Sequence, residues 1–276
     1  MNRSILSRAA GLVLAASGLS AVTAGHAGAV SLVPHRAVYD IHLKQASERS
    51  GIEGLNGRLV FEFNGTECAG YTTNFRFVNR IDTGDAVRVT DQQSVMFEDI
   101  KVGRFNFETK SFTDEALDKD ISGSARDDGK DGVRIDLTGP GARTVELSRS
   151  HFPAEHMLDI IDKARKGQSI FETRIFDGSE NGDQSYLTTV IVGKPQTVGA
   201  GDKEATVVGD HAGNSFWPVS IAYFEDGGSG DQLPVYTQSF KLYDNGITRD
   251  LTLDYGDFVL TGQLTKLDIL GDGKCK

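Results

Sequence analysis

Phe152-Pro153-Ala154-Glu155-His156-Met157-Leu158-Asp159-Ile160-Ile161-Asp162-Lys163-Ala164-Arg165-Lys166-Gly167 decides the fold, because it is the one convincing helix in the chain after its leader. Met157, Ile160, Ile161 and Ala164 fall at i, i+3, i+4 and i+7, a single apolar stripe. Pro153 suits the first turn, where a missing N–H is no loss. Lys163, Arg165 and Lys166 complement the dipole at the C-terminal end, and Gly167 predicts the stop. Asp159–Lys163 and Asp162–Lys166 are i,i+4 pairs in the favourable order. A helix this short does not stand alone in water, so its stripe needs an apolar partner. Strand-like segments flank it on both sides, and a β-sheet is the partner on offer.

Residues 1–29 read as a signal peptide. Arg3 and Arg8 give a positive start, Ala9 to Ala24 is apolar and small, and Ala27-Gly28-Ala29 is an A-x-A cleavage signal. No Cys follows the apolar run to carry a lipid. Residues 30–276 then form one exported domain, without the long apolar run of an integral membrane protein. The whole chain carries 29 basic and 39 acidic residues. Without Arg3 and Arg8 the net charge is −12, which argues against nucleic acid as a partner.

Alternating segments cover most of the rest. His35–Lys44 places Ala37, Tyr39, Ile41 and Leu43 on one face. Arg58–Asn64, Tyr71–Ile81, Val87–Glu98 and Lys101–Thr109 follow as strands. Polar loops are expected at 45–56, 113–131 and 193–204, with a short strand at 205–208. Asp244-Asn245-Gly246 between alternating runs is a strong hairpin signal. The count is about a dozen or more antiparallel strands with no βαβ alternation. A sheet this long must coil or close, and leaves a concave face.

Catalytic and metal motifs are missing. There is no G-x-S-x-G, H-E-x-x-H, Walker A or G-x-G-x-x-G. The loop Asp177–Asp183 echoes a calcium loop but has Thr188 where a bidentate carboxylate belongs. The reading is no enzyme, no cofactor and no metal. The aromatic residues carry more information. Phe61, Phe63, Phe75, Phe77, Phe105, Phe107, Trp217 and Tyr223 lie on strands, either as core or as the lining of an apolar cleft. Met157, Ile160, Ile161 and Trp217 are the candidate cleft residues; Trp217, beside Pro218, fits a cleft or an edge strand. Cys68 and Cys275 are the two cysteines, and an exported chain suggests one disulfide. Two free thiols or a metal site are the alternatives.

Several stretches together resemble the EipB family of cell-envelope-integrity proteins. The carriers are Leu32-Val33-Pro34-His35-Arg36-Ala37-Val38-Tyr39-Asp40, Phe152-Pro153-Ala154-Glu155-His156, Phe176-Asp177-Gly178-Ser179 and the Cys68/Cys275 pair. One departure is Ala154, where the family leads us to expect a Thr able to cap the helix. The resemblance implies a mainly β fold: a coiled antiparallel sheet, a β-spiral of about fourteen strands, gripping one amphipathic helix and similar to periplasmic lipoprotein carriers. It also implies a disulfide at Cys68–Cys275, no catalytic residues, and a role in envelope integrity. The expected function is therefore a non-enzymatic periplasmic protein whose cleft binds a lipid, a lipoprotein or a segment of a protein partner. The alternatives are a lipid or lipoprotein carrier and, with least support, an envelope hydrolase.

Overall fold

The computed structural model describes residues 30–227 and 232–275. The leader 1–29 and the glycine-rich tip at 228–230 lie outside the described residues.

Among the described residues, fourteen strands form one antiparallel sheet. They are β1 (His35–Ala46), β2 (Gly54–Thr66), β3 (Gly70–Asp82), β4 (Val87–Asp99), β5 (Arg104–Thr113), β6 (Ala116–Asp127), β7 (Val133–Thr138) and β8 (Arg143–Leu147). After the helix α1 (Pro153–Arg165) come β9 (Ile170–Ile175), β10 (Tyr186–Val192), β11 (Phe216–Glu225), β12 (Tyr236–Tyr243), β13 (Thr248–Asp254) and β14 (Phe258–Ile269). The order runs β8 back to β1, then β14 back to β9. Pairing of β1 with β14 joins two meanders into one ribbon, and β8 and β9 are its two ends. The helix connects those ends in sequence. Just before it, His151 bridges Ile175 of β9: His151 N–H donates to Arg174 and Phe176 N–H donates to His151. The ribbon is thus coiled on itself without becoming a closed barrel.

Two cores fill the coil. The larger joins Ala37, Tyr39 and Ile41 of β1 with Ile160 and Ile161 of the helix and Val219 and Ile221 of β11. The smaller is aromatic and belongs to β5–β8: Phe105 stacks on Phe152 at 5.1 Å, and Phe176 meets Phe105 and Phe107 edge-on at 6.0 and 5.5 Å. Gly178 explains the Phe176-Asp177-Gly178 motif. Its φ is +71°, and a Cβ there would lie 2.6 Å from the Phe107 ring.

Four local expectations change. The polar stretch 113–131 contains β6, because its inward residues Ile121, Gly123 and Ala125 are registered against Thr109, Phe107 and Phe105. Small inward residues are required there; a Cβ on Gly123 would sit 2.9 Å from the Phe107 ring. Residues 205–208 are wound as turns, since Val207 and Val208 donate their N–H groups to the Glu204 carbonyl and no strand lies alongside. Lys101 and Val102 form a short 3-10 turn, so β5 starts at Arg104. The strand β2 also begins at Gly54, inside the expected loop.

Candidate functional site: the concave face and the helix mouth

The helix begins without a side-chain cap of its own. Phe152 occupies the N-cap position and Ala154 has no hydroxyl, so the first N–H groups need a partner from elsewhere. Glu98 supplies it from the inner face of β4. Its carboxylate accepts from Ala154 N–H at 2.6 Å and from Glu155 N–H at 2.8 Å. Only 3% of Glu98 is exposed. Burial pushes its carboxyl up to about 7, against the pull of the two N–H donors. Sequence reasoning missed this residue, because its partners lie 56 and 57 positions away. The signal in the sequence was negative: a helix start with nothing local to cap it.

The other end is fixed as expected. Gly167 has φ +75°, and its N–H and that of Gln168 donate to Ala164 and Lys163. Arg165 reaches Asp244, in the turn between β12 and β13, at 2.5 Å. Lys163 pairs with Asp159 and lies over the Phe171 ring at 4.3 Å. The helix therefore spans the concave side from β4, past β9, to the β12–β13 turn. His156 is buried on it with Nε2 lacking a hydrogen-bond partner, and burial lowers its pKa to about 4.

Of the candidate cleft residues, Ile160 and Ile161 are fully buried, Trp217 is 8% exposed and Met157 is half-buried, all against the main core. The edge-strand reading of Trp217 fails: β11 is paired on both sides, and Trp217 faces Leu242. The strand aromatics divide cleanly. Phe63, Phe105, Phe107, Trp217 and Tyr223 are sealed in the cores. Phe61, Phe75 and Phe77 stay half-buried, although register puts them on the same inward face as Ala37 and Tyr39. Phe75 is registered with Ser94, four residues before Glu98, which is about 13 Å along the strand. Leu43, Ile81 and Phe258 are half-buried in the same core layer. The concave face is thus dry beneath the helix and accessible along β2 and β3.

Cys68, in the tight turn between β2 and β3, is bonded to Cys275, 207 residues on. The bridge ties the tail after β14 to the hairpin beside Tyr71, which is registered with Glu98.

A profile of the EipB-like family matches residues 26–271. The chain belongs to the EipB-like family. It is 51% identical over 255 residues to the cell envelope integrity protein EipB of Brucella abortus (strain 2308), covering 92% of this chain and 90% of that one. A crystal structure of a β-barrel-like protein, a domain of unknown function from Brucella abortus, superposes with a TM-score of 0.84. The two are 49% identical, and the match covers 88% of this chain and all of the other. The family's coiled mainly β fold is thus the fold found here. Among the described residues, no helix is long and apolar enough to cross a membrane.

Proposed function

We propose that this chain is a non-enzymatic periplasmic protein that supports envelope integrity by holding an apolar chain against its concave face. The name of the Brucella relative supports the envelope role. The observation that carries the binding part is the half-buried strip of Phe61, Phe75 and Phe77 on the same inward face as the sealed Ala37 and Tyr39. Exposed aromatic surface inside a coiled sheet is costly in water, and an acyl chain or an apolar protein segment would cover it. The helix floor supplies Met157 beside the packed Ile160 and Ile161. A carrier for lipid or lipoprotein would use the same strip, and differs in handing its cargo to a membrane acceptor.

Native mass spectrometry of protein purified from the periplasm tests the reading, together with displacement of a fluorescent fatty acid. Bound lipid or a displaceable probe is expected. Phe77→Asp is expected to abolish probe binding, and Phe77→Leu, which keeps an apolar side chain against the core, is expected to retain it at a similar melting temperature. A wild-type protein that carries no lipid and binds no probe overturns the acyl-chain reading.

A further inference from the structure

The opposite face of the sheet carries a second site. Outward residues of β11–β14 are covered by the long segment after β10, and a cavity of about 570 Å³ lies between them. Its size is that of a small-ligand pocket. Gln196, Thr197, Asp202 and Glu204 line it from the covering segment, and Thr261 and Gln263 from β14. Lys241 and Asp250 complete its floor.

The floor is an ion-pair network. Lys241 Nζ lies 2.8 Å from Asp250 and 3.6 Å from Asp202. Arg249, fully buried behind it, donates from Nη1 to Asp202 at 2.8 Å and from Nε to the Tyr243 hydroxyl at 3.0 Å. Pairing of β13 with β14 ends at Leu251–Gly262. Beyond that point Glu204 accepts the Leu264 N–H at 2.6 Å with Oε1. Its Oε2, 3.6 Å from Arg249 Nη1, has no hydrogen-bond partner, and neither has Arg249 Nη2. Glu204, which lines the cavity, therefore keeps one unused acceptor oxygen, and Arg249 behind it keeps an unused donor. Unpartnered buried groups of this kind are rare and costly where no ligand or water meets them.

We infer that this cavity binds a saccharide. Asp202, Glu204 and Asp250 are matched by Lys203, Lys241 and Arg249, so neither a free anion nor a free cation is favoured by net charge. The ligand that fits is neutral and polyhydroxylated. A hydroxyl both donates and accepts, so a sugar hydroxyl suits a cavity that presents the Glu204 carboxylate and the Lys241 ammonium together. Gln196, Gln263, Thr197 and Thr261 add neutral donors and acceptors at the rim. This site is independent of the apolar strip on the concave face.

Two envelope sources share the chemistry: the glycan strand of the cell wall and the saccharide of a glycolipid. Titration of the purified full chain with N,N′-diacetylchitobiose, and separately with lipid-free saccharide from lipopolysaccharide, distinguishes them. Amide NMR shifts are expected at residues 196–204 and 261–263. Gln263→Ala and Thr197→Ala, both at exposed rim positions, should weaken binding at least tenfold while leaving melting and fatty-acid probe displacement unchanged. Shifts with neither saccharide, or binding indifferent to both substitutions, overturn the inference.

Discussion

The mouth of the helix and the seam between β13 and β14 solve the same problem differently. In each, local structure leaves main-chain N–H groups without partners in the interior. In each, a carboxylate arrives from far along the chain: Glu98 for Ala154 and Glu155, Glu204 for Leu264. At the seam, cations come with it. Burial pushes Asp202 up, yet the hydrogen bond from Arg249, the Glu204 N–H and the charges of Arg249 and Lys241 bring it below its usual range. At the mouth, Glu98 has backbone donors alone, and its carboxyl rises to about 7. At the seam, Glu204 is more deeply buried than Asp202, 3.6 Å from the Arg249 guanidinium, and burial raises its carboxyl as it raises that of Glu98. The seam therefore balances an ionised Asp202 against a raised Glu204 beside cations, whereas the mouth rests on one raised carboxylate with backbone donors alone.

The bridge Cys68–Cys275 joins the two regions, since it fastens the tail beyond the seam to the hairpin beside the mouth. Opening it has the largest expected effect. A cross-link closing 207 residues stabilises by up to about 5 kcal/mol in the chain-entropy view. Cys275→Ser under oxidising conditions, or reductant on the wild type, should lower the melting temperature by up to about 15 °C. Equal melting curves would show that β14 holds its own tail and that the two regions are independent.

Next comes the seam itself. Arg249→Met leaves the buried Glu204 and the part-buried Asp202 without their guanidinium, a loss of about 3–5 kcal/mol. Adding Glu204→Gln should recover part of that, because the amide oxygen still accepts the Leu264 N–H without a charge. Chemical denaturation of the single and double variants reads the coupling. Additive losses would mean that Arg249 serves Asp202 and Tyr243 and leaves Glu204 alone.

The contrast also marks what the sequence could reveal. Periodicity located α1 and nearly every strand, because a coiled sheet with one wet face writes its alternation into each strand. The inward aromatics were visible as a set. Which of them stay accessible was not, since Phe75 and Phe107 differ only in what a distant segment lays over them. β6 was hidden because its inward positions had to be small beneath Phe105 and Phe107, and small residues read as loop. Glu98 and Glu204 were invisible for one reason. A local cap announces itself within three residues, whereas these carboxylates serve groups 56 to 60 residues away.

The smallest expected effect is the most specific to the mouth. Glu98→Ala orphans two N–H groups at the helix start, a loss of about 2–3 kcal/mol. Glu98→Gln costs less, because its amide oxygen still accepts one of them. The two differ from the wild type in pH dependence as well. The folded carboxyl titrates near 7, above the ordinary value of 4.5. The folded state thus binds this proton more tightly than the unfolded chain does. The contribution is complete below about 4.5 and is lost as pH rises through about 7, about 3 kcal/mol across the window. The difference in melting between the wild type and Glu98→Gln, followed from pH 4 to pH 9, should show this decline; the difference cancels the opposite contribution of buried His156, whose lowered pKa adds stability as pH rises. Variants at the seam should keep the decline, because Glu98 is intact in them. A difference that rises across the same window would mean that the two N–H donors and the helix dipole outweigh burial, and that Glu98 holds a permanent charge at the mouth.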